Sequence, residues 1–229
     1  MLYTPSDMTR CVDLFVFDLA GTVVVDDDHV LRSFLAAARA FDLEVEPAAL
    51  QSRMGWHKQR VFQVLLEEAG RAPSLADEMA ARFEEEFSAL VGREPLRPTV
   101  GALQVLAALE DAGVQIAFNT GFSRKTMDVV LAAMGLERWP SVASDEVAAG
   151  RPAPDLLHAA MQKSGVHDPQ RVGCAGDTPA DLAAGHAAQA RLIVGLGCGT
   201  HTLDELRASP HTHLLPDLVT LPALVLGHG

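Results

Sequence analysis

Cysteine is scarce in this chain of 229 residues: Cys11, Cys174 and Cys198 are all there is, with no C-x-x-C pair and no metal-ligand spacing. That excludes a disulfide framework and a thiolate metal centre, and it points to free thiols in a reducing cytoplasm. Basic residues are also few, 18 Lys and Arg against 30 Asp and Glu, for a formal charge of −12. Such a balance argues against nucleic acid or a membrane surface as partner. It leaves room for a small anionic substrate, because one site can be locally positive inside an acidic protein. No apolar run is long enough to span a bilayer, and the N-terminus lacks a secretory apolar stretch with a basic flank. The expectation is a soluble cytoplasmic protein. Repeats, low-complexity tracts and charge blocks are missing too; the nearest approach, Asp26–Asp28, reads as a solvated connection.

Apolar residues make up 48% of the chain, mostly Ala, Leu and Val, with few aromatics. This suits an α/β protein with Ala-rich helices and strands buried on both faces. "VDLFVF" (Val12–Phe17) is a short apolar run closed by a turn, hence a buried strand. Residues 28–98 then carry only helical periodicity, in "HVLRSFLAAARAF", "PAALQSRM", "KQRVFQVLLEEAG" and "LADEMAARFEEEFSALV". After that block, strands "VQIAFNT", "SVAS", "RVGCAGD" and "RLIVGL" alternate with helices, and helical turns follow near His201–Ala208 and Leu218–Leu226. The alternation predicts a doubly wound parallel sheet, formed by 1–27 and 99–229, with an all-helical insertion at 28–98.

Ligands of such sheets sit beyond the carboxyl ends of the strands. There the sequence places Asp18, Thr120 and Asp177, with Arg151 in a Gly-Arg-Pro turn nearby. Two carboxylates brought together need a cation between them, and a hard oxygen donor set suits Mg²⁺. Thr120 and Gly121 offer a hydroxyl and backbone N–H groups to a phosphoryl oxygen; Thr120 could equally cap the helix that follows. Asp181, on the first turn of its helix, could reach the metal through water or orient Asp177 or Arg151.

"DLAGT", "NTGFS", "GRPAPD" and "GDTPAD" resemble, in order and context, the four signature motifs of the haloacid dehalogenase superfamily, and the helical block resembles its cap domain. Ala20 and Arg151, where most members carry aspartate and lysine, are similar to the phosphonoacetaldehyde hydrolase and phosphonatase-like branch. That branch also has a cap lysine in a Met-Gly-x-x-Lys context, matched by Met54, Gly55 and Lys58. The resemblance implies a Mg²⁺-dependent hydrolase that cleaves the C–P bond of a 2-oxoalkylphosphonate. Asp18 would attack phosphorus and become an aspartyl phosphate, while Lys58 forms a Schiff base with the substrate carbonyl. Gly21, Thr22, Thr120, Gly121, Arg151, Met54 and Gly55 would contact the phosphonate or line its pocket. Asp18, the Ala20 carbonyl, Asp177 and Asp181 would serve the metal, and an exposed apolar cap face would allow a homodimer through the cap.

This reading explains Ala20. A phosphate ester expels an alkoxide and benefits from an acid beside the nucleophile. A C–P bond expels a carbanion, which an iminium on Lys58 can absorb as an enamine. The chain departs from the branch at Val61 and Phe122, where a histidine and a tyrosine are the pattern. His57 could compensate, although adjacent helical residues point about 100° apart. Met54 and Trp56 could line the pocket or pack within the cap. Other readings are a phosphatase or phosphotransferase, a dehalogenase whose halide leaves unprotonated, and a phospholigand-binding module without turnover.

Overall fold

The structure, a computed structural model, describes residues 10–227; the remaining residues of the expected core, 1–9 and 228–229, lie outside it. In chain order the elements are β1 (Leu14–Phe17), α1 (His29–Ala40), α2 (Pro47–Gln51), α3 (Lys58–Glu68), α4 (Ala76–Arg93), α5 (Ala102–Asp111), β2 (Gln115–Asn119), α6 (Arg124–Met134), β3 (Ser141–Val142), α7 (Asp155–Ser164), β4 (Val172–Gly176), α8 (Pro179–Ala187), β5 (Leu192–Leu196), α9 (Leu203–Leu206), β6 (His213–Leu215) and α10 (Leu221–Val225). Six strands form one parallel sheet in the order β3-β2-β1-β4-β5-β6.

Strand alternation builds two cores. Phe15 and Phe17 point into one, with Phe118, Val194 and Leu196, while Leu14 and Val16 point into the other, with Cys174, Leu157 and Leu182. Register sets the height of the carboxyl edge of the sheet. Phe17 lies opposite Phe118 on one side and Ala175 on the other, so Asp18, Thr120 and Asp177 emerge together where the central strands end.

The helical insertion buries one stripe of each helix. Val30, Phe34, Ala37 and Ala38 of α1 meet Met79, Phe83 and Phe87 of α4, spaced as an inward face requires. Phe34 sits with its ring centroid 5.2 Å from Phe62 and 4.7 Å from Phe83. Phe122, from the loop after β2, joins this cluster at 5.0 Å from Phe87, so a residue of the sheet's edge is packed in the aromatic core of the insertion. Each such ring pair contributes about 0.5–1.5 kcal/mol beyond its buried area.

The chain leaves and re-enters the sheet region along paired segments. Val25 N–H donates to Arg97 O at 2.9 Å and Thr99 N–H to Val23 O at 2.9 Å. Arg97 grips Asp27 with two bonds of 2.9 and 3.1 Å. Asp27 and Asp28 turn through left-handed conformations, φ 42° and 62°, which aspartate tolerates better than most residues.

Three expectations change. β6 forms between the two expected helical turns, where no element was expected; it is a three-residue edge strand with half-buried side chains, too short for a sequence pattern. The helix at Pro47 ends at Gln51, not Met54, and frees Met54 and Gly55 for a loop. The large exposed apolar side chains among the described residues are Val100, Leu103 and Val219, none of them in 28–98, so the insertion shows no such side chain for a homodimer to cover. No helix among the described residues is long and apolar enough to cross a membrane.

Candidate active site

Asp18 continues β1: its N–H donates to Ala175 O at 3.0 Å, which fixes the backbone and aims the carboxylate past the strand ends. Arg151 Nη1 donates to Asp18 Oδ1 at 2.7 Å and lies 2.6 Å from Asp181 Oδ1, all three side chains being buried. Arg151 Nη2 donates to Asn119 O at 3.0 Å and also to Asn119 Oδ1. The terminal nitrogens are therefore committed to protein acceptors. In this arrangement the guanidinium fixes Asp18 and Asp181 in place.

Asp177, fully buried, accepts from Thr200 N–H at 2.6 Å and from Thr22 Oγ1 at 3.3 Å. Asp181 accepts from Thr178 N–H at 3.0 Å and Thr178 Oγ1 at 2.6 Å, through the oxygen that Arg151 does not use. The two residues form a capping box at the start of α8, so Asp181 orients Arg151 and closes a helix end at once.

One carboxylate oxygen from each of Asp18, Asp177 and Asp181 lies within 4.8 Å of the others. A single guanidinium faces three carboxylates. Burial, and for Asp177 the neighbouring Asp18, push the carboxyls of Asp18 and Asp177 well above the usual range. A divalent cation removes that conflict, and three hard oxygen donors fit Mg²⁺. Both oxygens of Asp181 are engaged, one of them by Arg151, and both oxygens of Asp177 accept weaker neutral donors, Thr22 and Thr200.

Gly21 and Thr22 do not serve a phosphoryl group in the way expected. Gly21 N–H donates to Val24 O at 2.7 Å, and Thr22 gives its hydroxyl to Asp177. Gly21, at φ 85°, has no room for a Cβ because Asp177 Oδ2 occupies that space, so the turn builds a seat for Asp177. Thr120 does lie in the site. Its Oγ1 accepts from Phe122 N–H at 3.2 Å, which leaves the hydroxyl proton to give away. The cap of α6 is Ser123, which settles the two readings of Thr120 against capping. Gly121 N–H has no acceptor among the described residues.

Asp18, Ala20, Thr120, Gly121 and Thr178 share a cavity of about 30 Å³ with Met54, Gly55, Lys58, Val30 and Asp26 from the insertion and its connection. Lys58 is the first residue of α3 and is 8% exposed. Its Nζ stands 5.0, 5.4 and 5.7 Å from the ring centroids of Phe122, Phe34 and Phe83, with Trp56 O at 3.5 Å. Burial brings its pKa down from 10.5 to about 8, against the attraction of Asp18 and Asp26. Val61 is wholly buried. His57 is absent from the lining of this cavity; it lines a neighbouring one together with Lys58, Gln59, Glu84 and Ser123.

Four contributors went unread in the sequence: Thr178, Thr200, Asn119 and Asp26. Thr178-x-x-Asp181 carries the capping-box spacing and was legible. Asp26, expected in a solvated linker, is instead half-buried in the cavity wall.

Comparisons with known proteins agree with this geometry. Over 132 residues the chain is 33% identical to a phosphonoacetaldehyde hydrolase of Bacillus cereus, covering 56% of this chain and 48% of that protein, so it spans about half of that relative's length. A phosphonoacetaldehyde hydrolase of Latilactobacillus sakei is 30% identical over 205 residues, 82% of this chain and 75% of the relative. The crystal structure of a hydrolase from Pseudomonas syringae superposes with a TM-score of 0.84 at 22% identity, over 93% of this chain and 97% of that one. A model of haloacid dehalogenase-like hydrolases matches residues 12–189. With its sheet order, its strand-end carboxylates and that match, the chain belongs to the haloacid dehalogenase-like hydrolase family.

Proposed function

We propose that the protein is a Mg²⁺-dependent hydrolase that cleaves the C–P bond of a 2-oxoalkylphosphonate, phosphonoacetaldehyde or a close relative. The helical insertion acts as its cap. The observation that carries this reading is Lys58: a buried amine, its pKa lowered to about 8, lining the same cavity as Asp18. A lysine at that depth serves poorly as structure, since burying its charge costs stability. It serves well as a nucleophile, because a fair fraction is unprotonated near neutral pH.

Lys58 Nζ attacks the substrate carbonyl, and loss of water leaves an iminium. Asp18 then attacks phosphorus; the C–P bonding pair moves toward the iminium carbon and gives an enamine. Water hydrolyses the aspartyl phosphate; protonation of the enamine at carbon restores an iminium, whose hydrolysis releases the carbonyl product and frees Lys58. Thr120 O–H and Gly121 N–H are the free donors for the phosphonate oxygens, and Arg151 holds Asp18 on its line of attack. Asp18, Asp177 and the Ala20 carbonyl would hold Mg²⁺, which would neutralise charge on the phosphoryl group. Ala20 itself supplies no acid, which agrees with a leaving group drained by the imine.

The test is phosphate release from phosphonoacetaldehyde with Mg²⁺, wild type beside Lys58→Arg. Turnover that disappears in the variant supports the reading. Equal rates in both proteins sink the imine, and turnover confined to phosphate esters moves the function to a phosphatase.

A further inference from the structure

The wall that faces Lys58 contains one carboxylate that neither the nucleophile nor the metal cluster uses. Asp26 sits on the connection into the insertion, eight residues after Asp18, and lines the cavity with Asp18, Lys58, Thr120 and Phe122. Its Oδ1 accepts from Val30 N–H at 3.0 Å, which anchors the side chain to the start of α1. Its Oδ2 has no hydrogen-bond partner among the described residues. Around Lys58 the remaining groups are the rings of Phe34, Phe83 and Phe122, the buried Val61, and the carbonyl of Trp56. None of these can give or take a proton; His57 and Glu84 line a neighbouring cavity that Lys58 also borders, and within the cavity shared with Thr120 the proton-active carboxylates are Asp18, taken as the nucleophile, and Asp26.

Imine chemistry on Lys58 needs a group that can. After the amine nitrogen has bonded to the carbonyl carbon, the carbinolamine hydroxyl must leave as water, which takes one proton as the C–O bond breaks and the C=N bond forms. The reverse step, hydrolysis of the product iminium, must return that proton from the attacking water. We propose that Asp26 is the catalytic acid and base for this exchange: its carboxylic acid protonates the departing hydroxyl, and its carboxylate later accepts the proton of the water that opens the imine. This inference rests on the Lys58 imine proposed above and names the residue that makes it form and break.

Two further facts agree. Burial raises the carboxyl of Asp26 and so favours its acid form, while the bond from Val30 N–H and the attraction to Lys58 oppose that rise. The left-handed turn at Asp27 and Asp28 sends those two carboxylates outward and leaves Asp26 alone facing the cavity.

Asp26→Asn isolates proton transfer from structure, because the amide oxygen can still accept from Val30 N–H. The Mg²⁺-loaded protein is mixed with phosphonoacetaldehyde, quenched with borohydride over time, and the reduced adduct on Lys58 is followed by mass spectrometry. Melting temperature and affinity for inorganic phosphate are measured on the same samples. The expected result is adduct on Lys58 in wild type, formed at least about 100-fold more slowly in Asp26→Asn, with melting temperature and phosphate affinity retained. Equal adduct rates overturn the role of Asp26 while leaving the imine intact. A slowing matched by an equal loss of phosphate affinity also overturns it, since the defect is then one of assembly. No adduct in wild type removes the imine itself, and the inference with it.

Discussion

Replacing Lys58 by methionine should make the protein more stable and inactive in C–P cleavage at once. The folded state lowers the affinity of this amine for its proton from a pKa of 10.5 to about 8. At about 1.36 kcal/mol for each tenfold change in proton affinity, keeping Lys58 charged at pH 7 costs the fold roughly 3 kcal/mol. That figure already contains the attraction of Asp18 and Asp26, which oppose the effect of burial. Methionine fills a similar volume among Phe34, Phe83 and Phe122 without a charge. For a protein of this length, roughly 3 kcal/mol corresponds to about 6–12 °C in melting temperature. The pH dependence gives the sign. Between pH 8 and 10.5 the unfolded chain holds a proton on Lys58 that the folded protein has released, so wild type gains stability as pH rises through that window. Lys58→Met lacks this gain, and its advantage must shrink from roughly 3 kcal/mol at pH 7 toward zero above pH 10.5. Urea unfolding of both proteins at several pH values measures it. A variant no more stable than wild type at pH 7, or an advantage that does not change with pH, refutes the reasoning.

Gly121→Ala should cut kcat/KM by about 100-fold and lower the melting temperature, because its Cβ would stand 2.6 Å from Gly55 O and 2.7 Å from Trp56 O, forcing that backbone to shift and pushing Lys58 off its target. Steady-state kinetics beside a thermal melt would show it, and unchanged kinetics would mean that the insertion is not seated on this loop during turnover. Mg²⁺ at a hundred times its Kd should stabilise the wild type by about 2.7 kcal/mol, an effect largely lost in Asp177→Asn. A scanning calorimeter reads it directly, and an undiminished effect in the variant places the ion elsewhere.

What the sequence made legible was whatever the chain delivers locally. Asp18, Thr120 and Asp177 each follow a strand whose apolar run is unmistakable, and the parallel register carries all three to one edge. The helical character of residues 28–98 was equally plain, because α1, α3 and α4 each carry a regular apolar stripe. What escaped is non-local. The environment of Lys58 comes from Phe34, Phe83 and Phe122, which lie on three separate segments. The saturation of Arg151 depends on Asn119 and Asp181 arriving at the same guanidinium. Asp26 looked like one of three equivalent aspartates until the turn at its neighbours separated them. Gly21 and Thr22 stood among the residues the resemblance sets against the phosphonate, yet Gly21 N–H and the Thr22 hydroxyl are spent on Val24 and Asp177.

The loop at Gly55 and Trp56 is wedged between Gly121 and the hydroxyl of Thr178, and the cavity beneath it measures about 30 Å³. That volume holds about two waters and no phosphonate. Under the proposed function, substrate enters and product leaves when this wedge is withdrawn. Observed affinity is then discounted by the share of time spent withdrawn, so a substitution that loosens the wedge tightens apparent binding even as it slows the chemistry. Selection on such an enzyme acts on an exchange of occupancy between two shapes as much as on the bond being broken.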